Sequence, residues 1–179
     1  TQASVVEQAK AVQEIARDNG GLDFQWATRP EERSKIWEAR HNAYFACLQL
    51  KPGARALSTD VCVPISRLAE CITETEKDIA SASLPIPLFG HVGDGNFHLV
   101  ILIDPGNDAE IAEAKALNVR LVRRALAMEG TCTGEHGIGI GKQSYLVEEL
   151  GEAVDLMRDL KRTFDPDNLM NPGKVVSLP

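Results

Sequence analysis

The sequence predicts an α+β fold, a mainly antiparallel sheet covered by helices, and three observations predict it. Asp94-Gly95 sits between two apolar runs, a strong signal for a β-hairpin. Apolar residues recur at helical spacing in several long stretches. Strands and helices follow one another in mixed order, with a hairpin among them, rather than in the strict βαβ alternation of a parallel sheet.

The elements follow in chain order. Val5, Val6, Ala9, Val12, Ile15 and Ala16 mark a helix over 4–18 that stops at Asn19-Gly20-Gly21. Asp23 to Thr28 reads as a strand. Pro30 opens a second helix, where its missing N–H costs nothing, and this helix runs to about Leu50, before Pro52-Gly53. Leu57 to Val63 reads as a strand, Ile65 to Ala80 as a helix, and Ser81 to Pro87 as turns. The hairpin supplies strands 86–92 and 96–103. Asp104-Pro-Gly-Asn-Asp108 caps a helix reaching Met128, with Gly130 beyond its end. Residues 142–164 are helical with a break at Gly151, and the tail from Asp165 is turn-rich.

Length and charge narrow the classes. The chain has 179 residues, 44% of them hydrophobic, enough for one compact domain with a substantial core. A net charge of −7 disfavours nucleic acid as a partner. No apolar run approaches the roughly 18 residues that span a bilayer, and no signal peptide opens the chain, so an intracellular protein is expected. Thr1 stands where a methionine is usual, which points to a processed or excised piece. Cys47, Cys62, Cys71 and Cys132 form no Cys-x-x-Cys pair and imply reduced thiols. Cys132 reads as a small buried hydrophobe or as part of a pocket lining.

The chemistry concentrates in His91-Val-Gly-Asp-Gly-Asn-Phe-His98. If Asp94 and Gly95 are the two central residues of the turn, His91 falls directly opposite His98, with Cβ atoms roughly 4.5–5.5 Å apart on one face. Two imidazoles so placed can hold one cation. The alternative is a plain turn with two hydrogen-bonded histidines. Glu135, in the glycine-rich run Gly130 to Lys142, is the candidate third ligand. Two imidazoles and a carboxylate suit zinc or manganese with positions left open. His136 beside it is then the candidate base. The run fails as a phosphate-binding P-loop, because His136 occupies the first glycine position and Gln143 replaces the Ser or Thr.

Arg40 shares a helical face with Trp37 and Tyr44, three residues before it and four after. A guanidinium there needs an anionic partner, either a substrate carboxylate or a structural acid. Asp60, among Leu57, Val61 and Val63, either orients another polar group or ends a strand with a hydrogen bond.

Five ordered phrases carry a family resemblance: Trp37-Glu-Ala-Arg40-His41-Asn-Ala-Tyr44, Ser58-Thr-Asp60-Val-Cys-Val-Pro64, Gly90-His91 to His98, Gly130-Thr-Cys-Thr-Gly-Glu135-His136-Gly-Ile-Gly139, and Leu169-Met-Asn171-Pro-Gly-Lys174. From about Asp23 to Val176 the chain resembles the C-terminal domain of FAD-linked oxidases in the vanillyl-alcohol oxidase superfamily, with the FAD-dependent D-lactate dehydrogenases as the nearest branch. The resemblance implies a ferredoxin-like cap domain over the whole of 1–179, separated from an N-terminal FAD-binding domain and inactive alone. It implies a D-2-hydroxy acid as substrate, FAD as hydride acceptor, Arg40 against the substrate carboxylate and Asn171 near the flavin ring. The electron acceptor it implies is cytochrome c or a quinone, with peripheral inner-membrane association in bacteria, mitochondria in eukaryotes, and homo-oligomers among the options. Relatives that oxidise diacids commonly carry Asn two residues after the second histidine. Val100 stands there instead, which favours a short monoacid such as D-lactate. Two other classes stay open: a freestanding metal-dependent hydrolase, and a cap or assembly module with a structural metal.

Overall fold

The computed structural model describes residues 1–22 and 24–178. The chain gathers into two units, Thr1–Ala46 and Cys47–Pro179. In the first unit, α1 (Gln2–Asp18) is capped by the Thr1 hydroxyl, which accepts the Ser4 N–H. Helix α2 (Pro30–Leu48) begins at the predicted proline and carries Glu31 and Glu32 in its first turn, where negative charge suits the helix dipole. The apolar stripe of α1 is present, yet neither helix contributes a buried residue. The strand expected over Asp23 to Thr28 does not form at Phe24–Thr28, and Asp23 lies outside the described residues. β-propensity needs a partner strand to act on, and none pairs with this segment among the described residues.

The second unit is built on an antiparallel sheet of four strands: β1 (Arg55–Ser58), β2 (Val61–Cys62), β3 (Leu88–His91) and β4 (Asn96–Ile103). All eight residues of β4 are buried. One edge of β4 pairs with β1 and β2, and the other with β3. Alternation along β4 then splits the unit into two sides. Phe97, Leu99, Ile101 and Ile103 enter the main core, where they meet Leu68 and Cys71 of α3 (Ile65–Ile79) and Leu117, Leu121 and Val122 of α4 (Asp108–Ala127). Each such side chain contributes roughly 1.5–3 kcal/mol by leaving water. Asn96, His98, Val100 and Leu102 point to the opposite side. Helices α5 (Gln143–Leu150) and α6 (Ala153–Phe164) form a smaller cluster through Leu146, Val154 and Val176, and Gly151 breaks the helical run between them at φ 54°.

The strand predicted over Leu57 to Val63 is interrupted at Thr59-Asp60, and the cause is a side chain. The Leu99 N–H donates to the Thr59 hydroxyl at 2.9 Å instead of to its carbonyl, while the Thr59 N–H still donates to the Leu99 carbonyl at 2.9 Å. Register is continuous across the interruption: Ser58 faces Val100 and Val61 faces Phe97. The ladder loses one backbone bond without slipping, and one carbonyl is set free.

The hairpin departs from its expected register. His91 faces Asn96, and His98 faces Phe89. Four residues, Val92 to Gly95, form the loop; the Asp94 N–H donates to the His91 carbonyl at 2.9 Å, and only Gly95 adopts a left-handed φ, 76°. This is a type I turn closed by glycine rather than a two-residue turn with two left-handed residues. The departure amounts to two positions along one strand, and because side chains alternate with period two, both histidines stay on one face.

Helices α3 and α4 are stapled by charge. Asp78 accepts from Arg120 at 2.7 and 3.0 Å and from Arg124 at 3.0 Å, and Arg124 also donates to the Thr75 hydroxyl at 3.0 Å. The Arg120 hydrogen bonds outweigh partial burial and hold the Asp78 carboxyl below the usual carboxylate range. A carboxyl with a lowered folded pKa stabilises the fold above its unfolded value near 4, and that stability is lost as the pH falls through the folded value. Asp78→Asn is expected to cost about 2 kcal/mol at pH 7. Urea melts should show the gap between variant and wild type closing toward pH 3; a gap independent of pH would count against the staple.

Candidate functional site

Two segments meet on the side of β4 away from the core. The first is the hairpin, carrying His91, Asn96 and His98. The second is the glycine-rich loop after α4. An isolated bridge between Cys62 and Thr131 lays the start of this loop along β2, with N–H to carbonyl distances of 2.8 and 3.3 Å. Glu149 of α5 reinforces the bend by accepting the Cys132 N–H at 2.8 Å and the Thr131 hydroxyl at 3.1 Å. Cys132 itself is fully buried, and burial, aided by Glu149, pushes its thiol up to about 12. It is an inert core thiol, and all four cysteines are free.

The loop then wraps around Asp60. One carboxylate oxygen accepts the Thr133 hydroxyl at 2.7 Å and the N–H groups of Gly134 at 2.8, Glu135 at 3.1 and His136 at 2.9 Å. The other accepts the Asn96 amide at 2.8 Å. Lys142 donates its ammonium to the Asp60 carbonyl at 2.8 Å and stands 3.4 Å from the carboxylate. Burial raises the carboxyl pKa, but the His136 N–H, Thr133, Asn96 and Lys142 together overcome it and hold Asp60 far below the carboxylate range. The loop rejected as a P-loop does cradle an anion on successive N–H groups, and the anion is the chain's own. Lys142 faces this internal carboxylate.

His91, His98 and Glu135 converge. The Glu135 Oε1 atom lies 3.1 Å from His98 Nε2 and 3.4 Å from His91 Nε2, and the two rings stand 5.6 Å apart, edge to face. Donors bound to one small cation at about 2.1 Å are about 3.4 Å apart in a tetrahedron and about 3.0 Å in an octahedron. His98 Nδ1 lies 3.0 Å from the Thr59 carbonyl, the carbonyl released by the interrupted ladder. A carbonyl only accepts, so Nδ1 carries hydrogen and Nε2 is left to face Glu135. A lone pair aimed at a carboxylate requires a proton or a cation between them. His98 is buried with its side chain 6% exposed, whereas Glu135 is 53% exposed, so this cluster opens to solvent on the loop side.

A second group, Asp60, His98 and His136, is also compact enough for a metal. Its carboxylate is already surrounded by donors and its shared histidine turns Nε2 toward Glu135, so it offers fewer free lone pairs. His136 instead stacks on His98, with ring centroids 5.1 Å apart and planes inclined 13°. Its ring is exposed at the mouth of the cluster.

Arg40 lies in the first unit. Its guanidinium stands 5.3 Å over the Trp37 ring, a cation–π contact on the shared helical face that the spacing predicts. Asn171 lies on the tail of the second unit, exposed and with φ 49°. The tail is held by Asp165, which accepts the N–H groups of Leu169 and Met170 at 2.9 Å each, and by Gln143, which donates to the Gly173 carbonyl at 2.6 Å.

The sequence matches the family described as FAD linked oxidases, C-terminal domain, over residues 1–175. The chain belongs to this family. It is 54% identical over 98% of its length to a probable mitochondrial D-lactate dehydrogenase of Danio rerio, covering 35% of that protein. It is 46% identical over 98% of its length to a mitochondrial D-lactate dehydrogenase [cytochrome] of Arabidopsis thaliana, covering 31% of it. A glycolate oxidase subunit, GlcD, of Bacillus subtilis is 34% identical over 96% of this chain, which covers 36% of that subunit. The chain spans about a third of the length of these curated relatives. The α+β antiparallel architecture agrees with such a C-terminal domain.

Thr59, Asn96, Thr133 and Glu149 carry the site's hydrogen bonding without figuring among the candidates. Asn96 had a visible signal, its place inside the hairpin phrase; Thr59 had none, because its hydroxyl acts in place of a backbone acceptor. Gly134 permits the close approach of loop and hairpin, since a Cβ there would lie 2.0 Å from Asn96 Nδ2. Gly134→Ala is expected to cost about 1–3 kcal/mol by overpacking, while Gly141→Ala, whose Cβ meets nothing within 4 Å, should stay close to wild type. Equal melting shifts for the two variants would contradict the close packing.

Proposed function

We propose that the chain is the substrate- and metal-binding part of an FAD-dependent dehydrogenase that oxidises a D-2-hydroxy acid, D-lactate to pyruvate in first place. The observation that carries the reading is the convergence of His91, His98 and Glu135, with His98 Nδ1 bonded to the Thr59 carbonyl so that Nε2 faces Glu135. The donor set fits zinc or manganese: two imidazoles, one carboxylate and an open solvent side. Asn96 Oδ1 adds support, since it is buried without a hydrogen-bond donor on the same side of β4 and suits a water or hydroxyl there.

When bound, the metal supplies Lewis acidity that lowers the pKa of a substrate hydroxyl, and FAD, held mainly by sequence outside this chain, accepts the hydride. The chain's own residues divide the remaining work. For Arg40 the proposed partner is the substrate carboxylate, the anion that suits a guanidinium. His136, exposed at the mouth of the cluster, takes the hydroxyl proton on its imidazole. Asn171, exposed on the turn of the tail, would contact the flavin. Val100, buried two residues beyond His98 on the same side of β4, offers no hydrogen bond to a second carboxylate, which supports a short monoacid. The relatives named D-lactate dehydrogenase [cytochrome] support a cytochrome as electron acceptor and a mitochondrial location in a eukaryote.

The test uses the full-length protein purified without chelator. Flavin absorbance and about one equivalent of zinc or manganese are expected, with D-lactate turned over in preference to D-2-hydroxyglutarate. Replacing His136 with Ala should lower kcat by about 10²–10⁴-fold with metal retained, and Glu135→Gln should lose the metal with the fold intact. Flavin without metal would return His91 and His98 to structural roles; preference for the diacid would overturn the substrate, and unfolding of Glu135→Gln would favour a structural metal.

A further inference from the structure

The glycine-rich loop poses a problem that the proposed chemistry leaves unanswered. Glu135 and His136 are both exposed, so packing does not hold their side chains in place. The backbone N–H groups of Gly134, Glu135 and His136 find no backbone acceptor among the described residues. Without another partner this stretch has nothing to fix it opposite the hairpin.

We propose that Asp60 is the positioning residue of the site: its buried carboxylate locks the Thr133–His136 backbone to the hairpin and thereby sets where Glu135 and His136 stand relative to His91 and His98. Three loop N–H groups and one loop hydroxyl end on it at 2.7 to 3.1 Å, and the hairpin reaches it through the Asn96 amide at 2.8 Å. Asp60 also faces His98 in the continued register, with its carboxylate 3.7 Å from His98 Nδ1. One side chain therefore contacts the segments that carry all four groups. Its neighbour Thr59 orients His98 through the backbone, so two adjacent residues set both halves of the cluster.

The chemistry demands a carboxylate of this length. The donors crowd one oxygen and need its full negative charge, with Lys142 as the counter-charge. Asparagine is the same size but has a single acceptor oxygen, and either orientation turns its NH₂ toward donors, the loop N–H groups or the Asn96 amide. Glutamate carries the charge but is one methylene too long for a side chain with no exposed surface. A residue serving stability alone would affect the whole unit evenly. A positioning residue affects the loop and the ligands it carries while the sheet stays formed.

The experiment compares wild type with Asp60→Asn and Thr133→Val in the full-length protein, by amide hydrogen exchange and by zinc competition with a chelator. In Asp60→Asn, exchange at 134–136 should rise at least about tenfold while the β4 amides stay protected. Zinc affinity should fall by about 10–100-fold, as for other residues that orient metal ligands. Thr133→Val keeps the charge and removes one donor, so it should move both readouts in the same direction by a smaller factor. It decides the matter if Asp60→Asn does not fold. Loop exchange unchanged in the folded variants, or raised equally along β4, would overturn the inference. The zinc arm rests on the metal reading of His91, His98 and Glu135, and the exchange arm does not. Wild type that binds no zinc would end that reading and leave the positioning role to be judged on exchange alone.

Discussion

One buried negative charge organises the functional side of this molecule. Most buried carboxylates are liabilities, because desolvation disfavours the charged form. Asp60 reverses this by gathering N–H and O–H donors from two segments far apart in sequence, Asn96 on one side and Thr133 to His136 on the other. The loop has no strand or helix to satisfy these amides, so loop and carboxylate each solve the other's problem. The glycines have their purpose in this context: Gly134 brings backbone against the hairpin amide where a side chain would collide.

The sheet contributes through a local exchange of acceptors. At Thr59 a hydroxyl takes over the N–H of Leu99, and the displaced carbonyl turns to His98. Strand pairing survives because register on either side is unchanged. The imidazole is thus oriented by backbone, which cannot rotate away as a side-chain partner can. Core and site share β4: Phe97, Leu99, Ile101 and Ile103 serve the core, and Asn96 and His98 serve the site.

Much of this was legible in the sequence, for identifiable reasons. Helix boundaries at Pro30, Ile65, Asp108 and Gly151 follow from caps and breakers that act locally. The shared face of His91 and His98 was legible because alternation tolerates a displacement of two; the register was not, because Val-Gly-Asp-Gly accommodates both a two-residue and a four-residue turn. The pairing of Glu135 with the histidines rested on residue chemistry, and the structure brings the three within reach of one cation. The break at Thr59-Asp60 was hidden, since the pattern from Leu57 to Val63 is that of an uninterrupted strand. The loop is like a P-loop in its glycines and Lys142 and lacks the Ser or Thr; what no local pattern reveals is that the anion it holds lies 70 or more residues earlier in the same chain. Phe24 to Thr28 has strand-like residues and no partner strand among the described residues, a matter of tertiary context that propensity does not encode.

The unequal exposure of the three converging donors implies a sequence of events. His98 belongs to the most protected strand of the unit, and His91 follows it across four loop residues, so the imidazole pair is complete once the sheet has formed. Glu135 arrives on a segment that, among the described residues, has no ladder of its own and is tied down by side-chain acceptors. A segment held by side chains opens more readily than a strand paired on both edges. The cluster therefore joins a half built into the sheet to a half that yields first.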